Sequence, residues 1–491
     1  MNKIKFTYLI IITCISVVFE TGCRHDKAAV PDDQSLEINQ FIWNNMQYSY
    51  LWTDSVSNLT KYQQNSTALN TFLIGYTDHK KLFNDLLYPT RDKWSWIVDD
   101  YVALEKMFEG VTKTKGFEFG LVYTDASKTT VFGYVEYVVK GSPADIAGLA
   151  RGDIFSKVDG QNLTATNLQT LLSQETYTIS LALLNPNGTS GNYTIPLNRD
   201  LKMTDIELQE NPILMDTVYN LNGTKTGYLM YNQFESNYDI ALNNVFSYFK
   251  TEGVTQLVLD LRYNGGGSVQ TAVNLSGMIY NTTPSTLILK TQYNNNVEKE
   301  LLNEYGAEFF NIYFTDTIER TATTPTTTIT SLGLSKLYVL TTGNTASASE
   351  IVINALRAFI PVITIGTTTV GKYVASITIK DTDSKGVVNP HHTWALQPIV
   401  LKIANAKGNT DFVNGFTPNI SVDELNYVFT SKLKRLGDPT EPLLMAALND
   451  IQGVSQMKSN NINYQLRFGD SKDLKPHAKE MIFNNKHFIK K

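Results

Sequence analysis

Three short stretches of this chain hold residue types and spacings suited to acyl or anion chemistry. The first, Asp260-Leu-Arg-Tyr-Asn-Gly-Gly-Gly267, follows an apolar run centred on Leu257, Val258 and Leu259. A strand that feeds a triple glycine presents backbone N–H groups with no side chain in the way, as an oxyanion hole needs. The same residues suit a tight turn or an anion loop equally well. The second, Thr345-Ala-Ser-Ala-Ser-Glu350, leads into an apolar helical pattern over 351–359. Ser347 and Glu350 fit a Ser-x-x-Glu capping box, which offers Ser347 a purely structural role. A helix N-terminus also suits a nucleophile, because free N–H groups and the helix dipole stabilise developing negative charge. Ser349 is a substitute nucleophile that a helix would aim differently. The third stretch runs from a predicted strand at 362–365 through Gly366-Thr-Thr-Thr-Val-Gly371 to Lys372, 25 residues after Ser347. Taken alone, Lys372 reads as a surface lysine after a glycine turn.

Other chemistries find less support. His391 and His392 are adjacent and point to opposite faces if extended, and the remaining histidines sit in polar contexts. No His/Cys/Asp cluster has metal-ligand spacing. A Ser-His-Asp triad stays open, because its members need not be close in the chain. With 42 basic and 47 acidic side chains the net charge is −5, which argues against a nucleic-acid partner.

The elements that must position these residues follow from periodicity. An α/β region from about Asp205 alternates strands (227–231, 254–261, 337–340, 362–365) with a helix at 239–251. This pattern predicts a partly parallel sheet, whose 254–261 strand is buried on both faces. Ahead of it, 121–123, 130–139 and 177–183 read as strands bounded by turn residues. Residues 36–107 are dense in apolar and aromatic positions, Phe41, Trp43, Met46 and Tyr50 among them, and predict a small helical domain with a second helix near 80–87. It reads as a packing or docking module.

The N-terminus predicts export. Lys3 and Lys5 precede an apolar run over 6–19, shorter than the ~20 residues of a membrane span. The chain has two cysteines, Cys14 within that run and Cys23 after Gly22. The Cys23 context resembles a bacterial lipoprotein processing site, with Glu20 where such signals usually carry Leu. Cleavage there would leave one thiol for lipid attachment and no intrachain disulfide.

The segment Gly141-Ser-Pro-Ala, Ala147-Gly-Leu149, Gly152-Asp-Ile154, Val158 and Gly160 resembles a PDZ domain. Pro143 opens a short helix, Gly148 ends it, and Gly152-Asp153 turns the chain into a strand. Upstream, Gly116, Phe117, Glu118, Phe119 and Gly120 resemble the loop that captures a peptide C-terminus, followed by an edge strand that pairs with an extended peptide.

Over roughly 117–444 the motifs together resemble the carboxyl-terminal processing (tail-specific) proteases of peptidase family S41, including Gly415-Phe-Thr-Pro-Asn-Ile420, which is similar to the family's Gly-Ile-x-Pro-Asp segment. The aromatic N-terminal region also resembles that of some envelope members. The resemblance implies that Ser347 attacks a peptide carbonyl and that Lys372, neutral through burial, takes its proton. It implies an oxyanion hole from the N–H of Ala348 and that of Gly265 or Gly266. It calls for no cofactor and no metal. One departure stands out: the family often places Gln four residues after the lysine to orient it, and this chain has Ser376.

The expected layout is a signal peptide (1–22), linker (23–35), helical N-terminal domain (36–107), PDZ-like β-rich domain (108–202), crotonase-like α/β catalytic core (203–455) and polar Lys-rich tail (456–491). The expected function is a cell-envelope serine endopeptidase, periplasmic or on the cell surface, acting on proteins or peptides chosen by their C-terminal tails. It would meet the membrane only through Cys23. The alternative is a non-catalytic peptide- or ligand-binding envelope protein on the same scaffold.

Overall fold

The computed structural model describes residues 33–124, 126–187, 191–281, 283–318, 326–430, 433–454, 466–474 and 479–483. The expected signal segment and lipid attachment at Cys23 lie outside them.

The α/β region is built on a six-stranded sheet ordered Ile213–Leu221, Thr224–Tyr231, Gln256–Asp260, Leu337–Thr341, Val362–Gly366, Ile420–Ser421. The first pair is antiparallel and the rest are parallel. Side chains alternate across it. Leu257, Leu259, Leu337 and Val339 face a layer holding helices Asp239–Thr251, Val269–Ile279 and Ala348–Leu356. Val258, Tyr338 and Leu340 face helix Pro442–Ile451 on the other side. Burial on both faces explains the near-continuous apolar runs of these strands. A second sheet, ordered Gly267–Ser268, Met481–Ile482, Val374–Ser376, Ile399–Asn405, Leu287–Gln292, Asn311–Tyr313, packs beyond the helices.

The PDZ-like region forms a sheet ordered Arg467–Asp470, Phe117–Tyr123, Val131–Val138, Ile154–Val158, Thr176–Asn187, Gly191–Thr204, with short helices Pro143–Ile146 and Leu168–Leu172. Pro143 opens the first helix and Gly148 follows it at φ 77°, as the turn chemistry predicts.

The N-terminal helices Asp33–Ser49, Ser66–Ile74 and His79–Asp85 share a core with Ile97 and Leu396. Strand Trp96–Val98 pairs with Ala395–Gln397, and Leu51 N–H bonds the Ile399 carbonyl at 2.9 Å. This region is therefore fused into the catalytic core rather than tethered to it. His391 and His392 face Glu37 and Asp381 at this junction, away from the serine and lysine.

One expectation needs correction. The described parts of 456–491 are not a free polar tail: Arg467–Asp470 and Met481–Ile482 are strands within two different sheets. Lysines set the composition there, but Phe468, Leu474 and Met481 carry the burial, with Met481 fully inaccessible. A composition average hides apolar residues spaced this widely.

The sheet's charged anchor is Arg262, wholly buried. It makes paired bonds to Asp260 (3.0 Å each) and to Glu441 (2.8 and 3.0 Å), and a further bond to Glu424 (3.1 Å). Arg151, from the PDZ-like region, closes the network on Glu424. Removing the guanidinium strands carboxylates in the interior. Arg262→Ala is therefore expected to cost about 3–5 kcal/mol, read as a lower denaturant midpoint; an unchanged midpoint would refute this account of the network.

Candidate active site

Three neighbouring parallel strands end at the same sheet edge, where open α/β sheets place their sites. Gln256–Asp260 leads to the glycine turn, Leu337–Thr341 to Ser347, and Val362–Gly366 to Lys372. Cross-bonds hold the loops together. Thr345 Oγ1 donates to the Leu261 carbonyl (2.8 Å), Ala346 N–H to that of Asn264 (3.1 Å), and Val370 N–H to that of Thr345 (3.0 Å).

Ser347 caps helix Ala348–Leu356 with φ 65° and ψ −118°. A left-handed backbone at a non-glycine residue costs of order 1–3 kcal/mol and persists only where its surroundings enforce it. Ser347 and Glu350 stand in capping-box positions, yet the Ser347 hydroxyl makes no cap bond. Buried completely, it has no hydrogen-bond partner among the described residues. Ser349 is different: its hydroxyl donates to the Asn264 carbonyl at 3.1 Å, which commits it to the scaffold.

Glu350 enforces the strained turn. Its buried carboxylate accepts from Ser347 N–H (2.9 Å), Thr369 Oγ1 (2.6 Å), Gly371 N–H (2.7 Å) and Lys372 N–H (2.9 Å). Burial pushes Glu350 up to about 7, while those donors favour its charged form. One carboxylate thus ties the Ser347 turn to the lysine turn. The segment around Gly415 supports the far side. Phe416 N–H donates to Thr369 Oγ1 at 2.7 Å, and a Cβ at Gly415 would strike the Thr369 carbonyl at 2.0 Å.

Lys372 is fully buried. Burial holds its pKa below the ordinary lysine value, while Glu480, Asp92 and Glu350 pull it back up. Its ammonium does not bond to Ser347. It donates to the Lys479 carbonyl (2.8 Å), lies 3.4 Å from Glu480 Oε2, and sits 5.0 Å from the Trp94 ring centre. Trp96 Nε1 donates to Glu480 Oε1 at 3.1 Å, so the N-terminal region walls the site.

Of the expected oxyanion donors, Ala348 opens the helix beside Ser347. Gly266 N–H is spent on Asn264 Oδ1 at 2.8 Å, so of the two glycines Gly265 is the one left to serve the cleft. Gly267 N–H also enters it, donating to the Glu480 carbonyl at 2.6 Å. A Cβ at Gly266 (φ 112°) would lie 2.5 Å from Ser347 Cβ and 2.4 Å from the Glu480 carbonyl oxygen, so only glycine allows this approach. Ser376 Oγ donates to the Met481 carbonyl (3.1 Å) and accepts from Gln397 Nε2 (3.0 Å). A glutamine does arrive beside Ser376, but from strand Ala395–Gln397 of a different sheet. Gly116, Phe117, Glu118, Phe119 and Gly120 begin the edge of the PDZ-like sheet, and Arg467–Asp470 pairs against it. Sequence reading missed Glu480, Gln397 and Trp94, which reach the site only through folding. It took Glu350 for a cap, although its place three residues after Ser347 was the available signal.

Glu350→Ala would leave buried donors unpaired at about 1–3 kcal/mol each. The expected result is a lower unfolding midpoint and faster amide exchange at Gly371 and Lys372. Unaltered exchange there would remove Glu350 as the tie.

Comparison with known proteins gives family, domain and fold matches. The model of Peptidase family S41 matches 225–422, that of the Peptidase S41 N-terminal domain 37–96, and that of the PDZ domain 134–179. A chloroplastic C-terminal processing peptidase of Tetradesmus obliquus is 28% identical over 50% of this chain and 49% of its own. The carboxy-terminal processing protease CtpA of Bacillus subtilis (strain 168) is 25% identical over 61% and 56%. The chain thus spans about half the length of these curated relatives. The crystal structure of a protein named as an S41 protease, from Bacteroides fragilis NCTC 9343, superposes with TM-score 0.62 at 25% identity, over 85% of this chain and 98% of that one.

Proposed function

Because the chain belongs to peptidase family S41 and carries its N-terminal and PDZ domains, we propose that it is a serine endopeptidase with Ser347 as nucleophile and Lys372 as general base. The observation that carries this reading is a buried lysine held by one carboxylate to a serine whose hydroxyl is unpartnered at a helix N-terminus. Ser347 Oγ bonds the substrate carbonyl carbon as its proton passes to Lys372 Nζ. The C–N bond then breaks as that proton moves to the departing amine. Water then attacks the acyl carbon as one of its protons passes to Lys372, and the C–Oγ bond breaks as Lys372 returns that proton to Ser347 Oγ. Ala348 and Gly265 N–H groups support the reading as oxyanion donors. The PDZ domain supports selection of substrates by their C-terminal tails.

Wild type is expected to cleave an unfolded protein with an apolar C-terminus. Ser347→Ala and Lys372→Ala should each lower kcat/KM by about 10³-fold or more with folding intact. Cleavage that survives Ser347→Ala overturns the nucleophile, and saturable tail binding without cleavage favours a binding protein. A base must be neutral, and burial lowers Lys372. Activity should therefore rise with pH and level off below the ordinary lysine range of ~10.4, and Lys372→Arg should abolish it. A profile still climbing through that range counts against Lys372 as base.

The N-terminal pattern supports export to the envelope with a lipid on Cys23. Cys23→Ser is expected to move the chain from the membrane to the soluble fraction, and unchanged fractionation removes the anchor.

A further inference from the structure

The C-terminal segment occupies both places that a substrate tail would use. Arg467–Asp470 lies antiparallel on Phe117–Tyr123, with Arg467 opposite Val122, Gly469 opposite Leu121 and Asp470 opposite Gly120. This is the sheet edge onto which a peptide adds by strand augmentation. Phe468 packs on the PDZ core, its ring 5.2 Å from that of Tyr123, and Leu474 joins the same core. Ser471 Oγ takes the Phe119 N–H at 3.1 Å and donates to the Glu118 carboxylate. The peptide-capturing edge is therefore filled by the chain itself.

Farther on, 479–483 cross the catalytic cleft as an extended strand. Met481–Ile482 lies between Gly267–Ser268 and Val374–Ser376, parallel to both. The Lys479 carbonyl takes the Lys372 ammonium, and the Glu480 carbonyl takes Gly267 N–H in the glycine turn beside Ser347. Glu480 places its carboxylate against Lys372, and Phe483 N–H bonds the Ser376 carbonyl at 2.9 Å. The strand also borders a cavity of about 340 Å³ reached by Phe108, Tyr137 and Glu235. The polar contacts of the lysine go to this segment and not to Ser347, whose hydroxyl is left unpartnered.

We propose that residues 466–474 and 479–483 are a built-in plug, an intramolecular occupant of the PDZ edge and the catalytic cleft that keeps the site latent until a competing peptide tail displaces it. This rests on the reading of Ser347 and Lys372 as a peptidase site. The plug resists cleavage because it holds the Lys372 amine on the Lys479 carbonyl and beside the Glu480 carboxylate, away from Ser347. Four residues of sequence separate the two runs, so a tail that wins the PDZ edge also loosens the strand in the cleft.

The test uses the full chain. Phe468→Asp puts a charge into the PDZ contact without touching the cleft. It is expected to raise amide exchange at Met481 and Ile482, and to raise kcat/KM about tenfold. A synthetic peptide of residues 466–483, added in trans, should bind the released variant and return it to the wild-type rate. Glu480→Gln, which weakens the hold on Lys372 from the other end, should also raise the rate. Rates equal to wild type in both variants, with cleavage intact, overturn the plug and leave the peptidase reading standing. If neither wild type nor variants cleave, exchange and peptide binding alone decide. Faster exchange with binding keeps the plug while the peptidase reading falls, and unchanged exchange at 481–482 overturns the plug. Should Phe468→Asp fail to fold, Glu480→Gln and displacement of the wild-type plug by excess peptide separate the same outcomes.

Discussion

The Glu350 carboxylate is the constraint on which the site depends. It sits at the third position of the helix that Ser347 caps, and it receives N–H groups from both the serine turn and the lysine turn. With the carboxylate so engaged, Ser347 can hold a left-handed backbone and Lys372 a wholly buried amine. In a capping box, Glu serves its own helix. Here it serves two loops from different strands, so the distance between the proposed nucleophile and base follows from one side chain's length. The burial that makes this bond strong also makes it demanding, since every donor facing the carboxylate would be costly to leave unpaired.

Behind that clamp stands the parallel sheet. Its adjacent strands end together, so residues nearly a hundred positions apart meet at one edge. The Arg262 network locks the first of these ends to Glu441 and Glu424, and through Arg151 to the PDZ region. The PDZ-like region and the glycine turn are therefore joined by a charge network as well as by packing. That network lies next to the loop that carries Asn264 and the glycines. A buried network of this kind is weak evidence of stability in itself. Its geometric effect is to fix the PDZ-like region against the parallel sheet, through Arg151 and Arg262 on the shared Glu424.

Strand and helix identities were legible wherever a local pattern was strong. The helix at Asp239–Thr251 and the strands at Leu337–Thr341 and Val362–Gly366 follow from periodicity. The PDZ turn chemistry follows from proline and glycine positions. The C-terminal strands were not legible, because edge pairing draws on backbone groups that any sequence carries. Only a few apolar side chains mark them. The N-terminal region was legible as helices, but its strand Trp96–Val98 and its place in the site were not, since its partner strand is some three hundred residues away.

The sequence by itself determined which residues do local work. Serine at a helix start, glutamate three positions on, glycines where backbones must approach, and a lysine after a glycine turn all act within a few residues of themselves, so spacing reveals them. Tertiary structure alone decided which groups meet. It buried Lys372, brought Gln397 to Ser376 from another strand, set Trp94 over the amine, and delivered Glu480 from 108 residues away. A charge's environment depends on what packs around it. Packing is a property of the folded chain, and the residues beside Lys372 in sequence say little about the groups beside it in space.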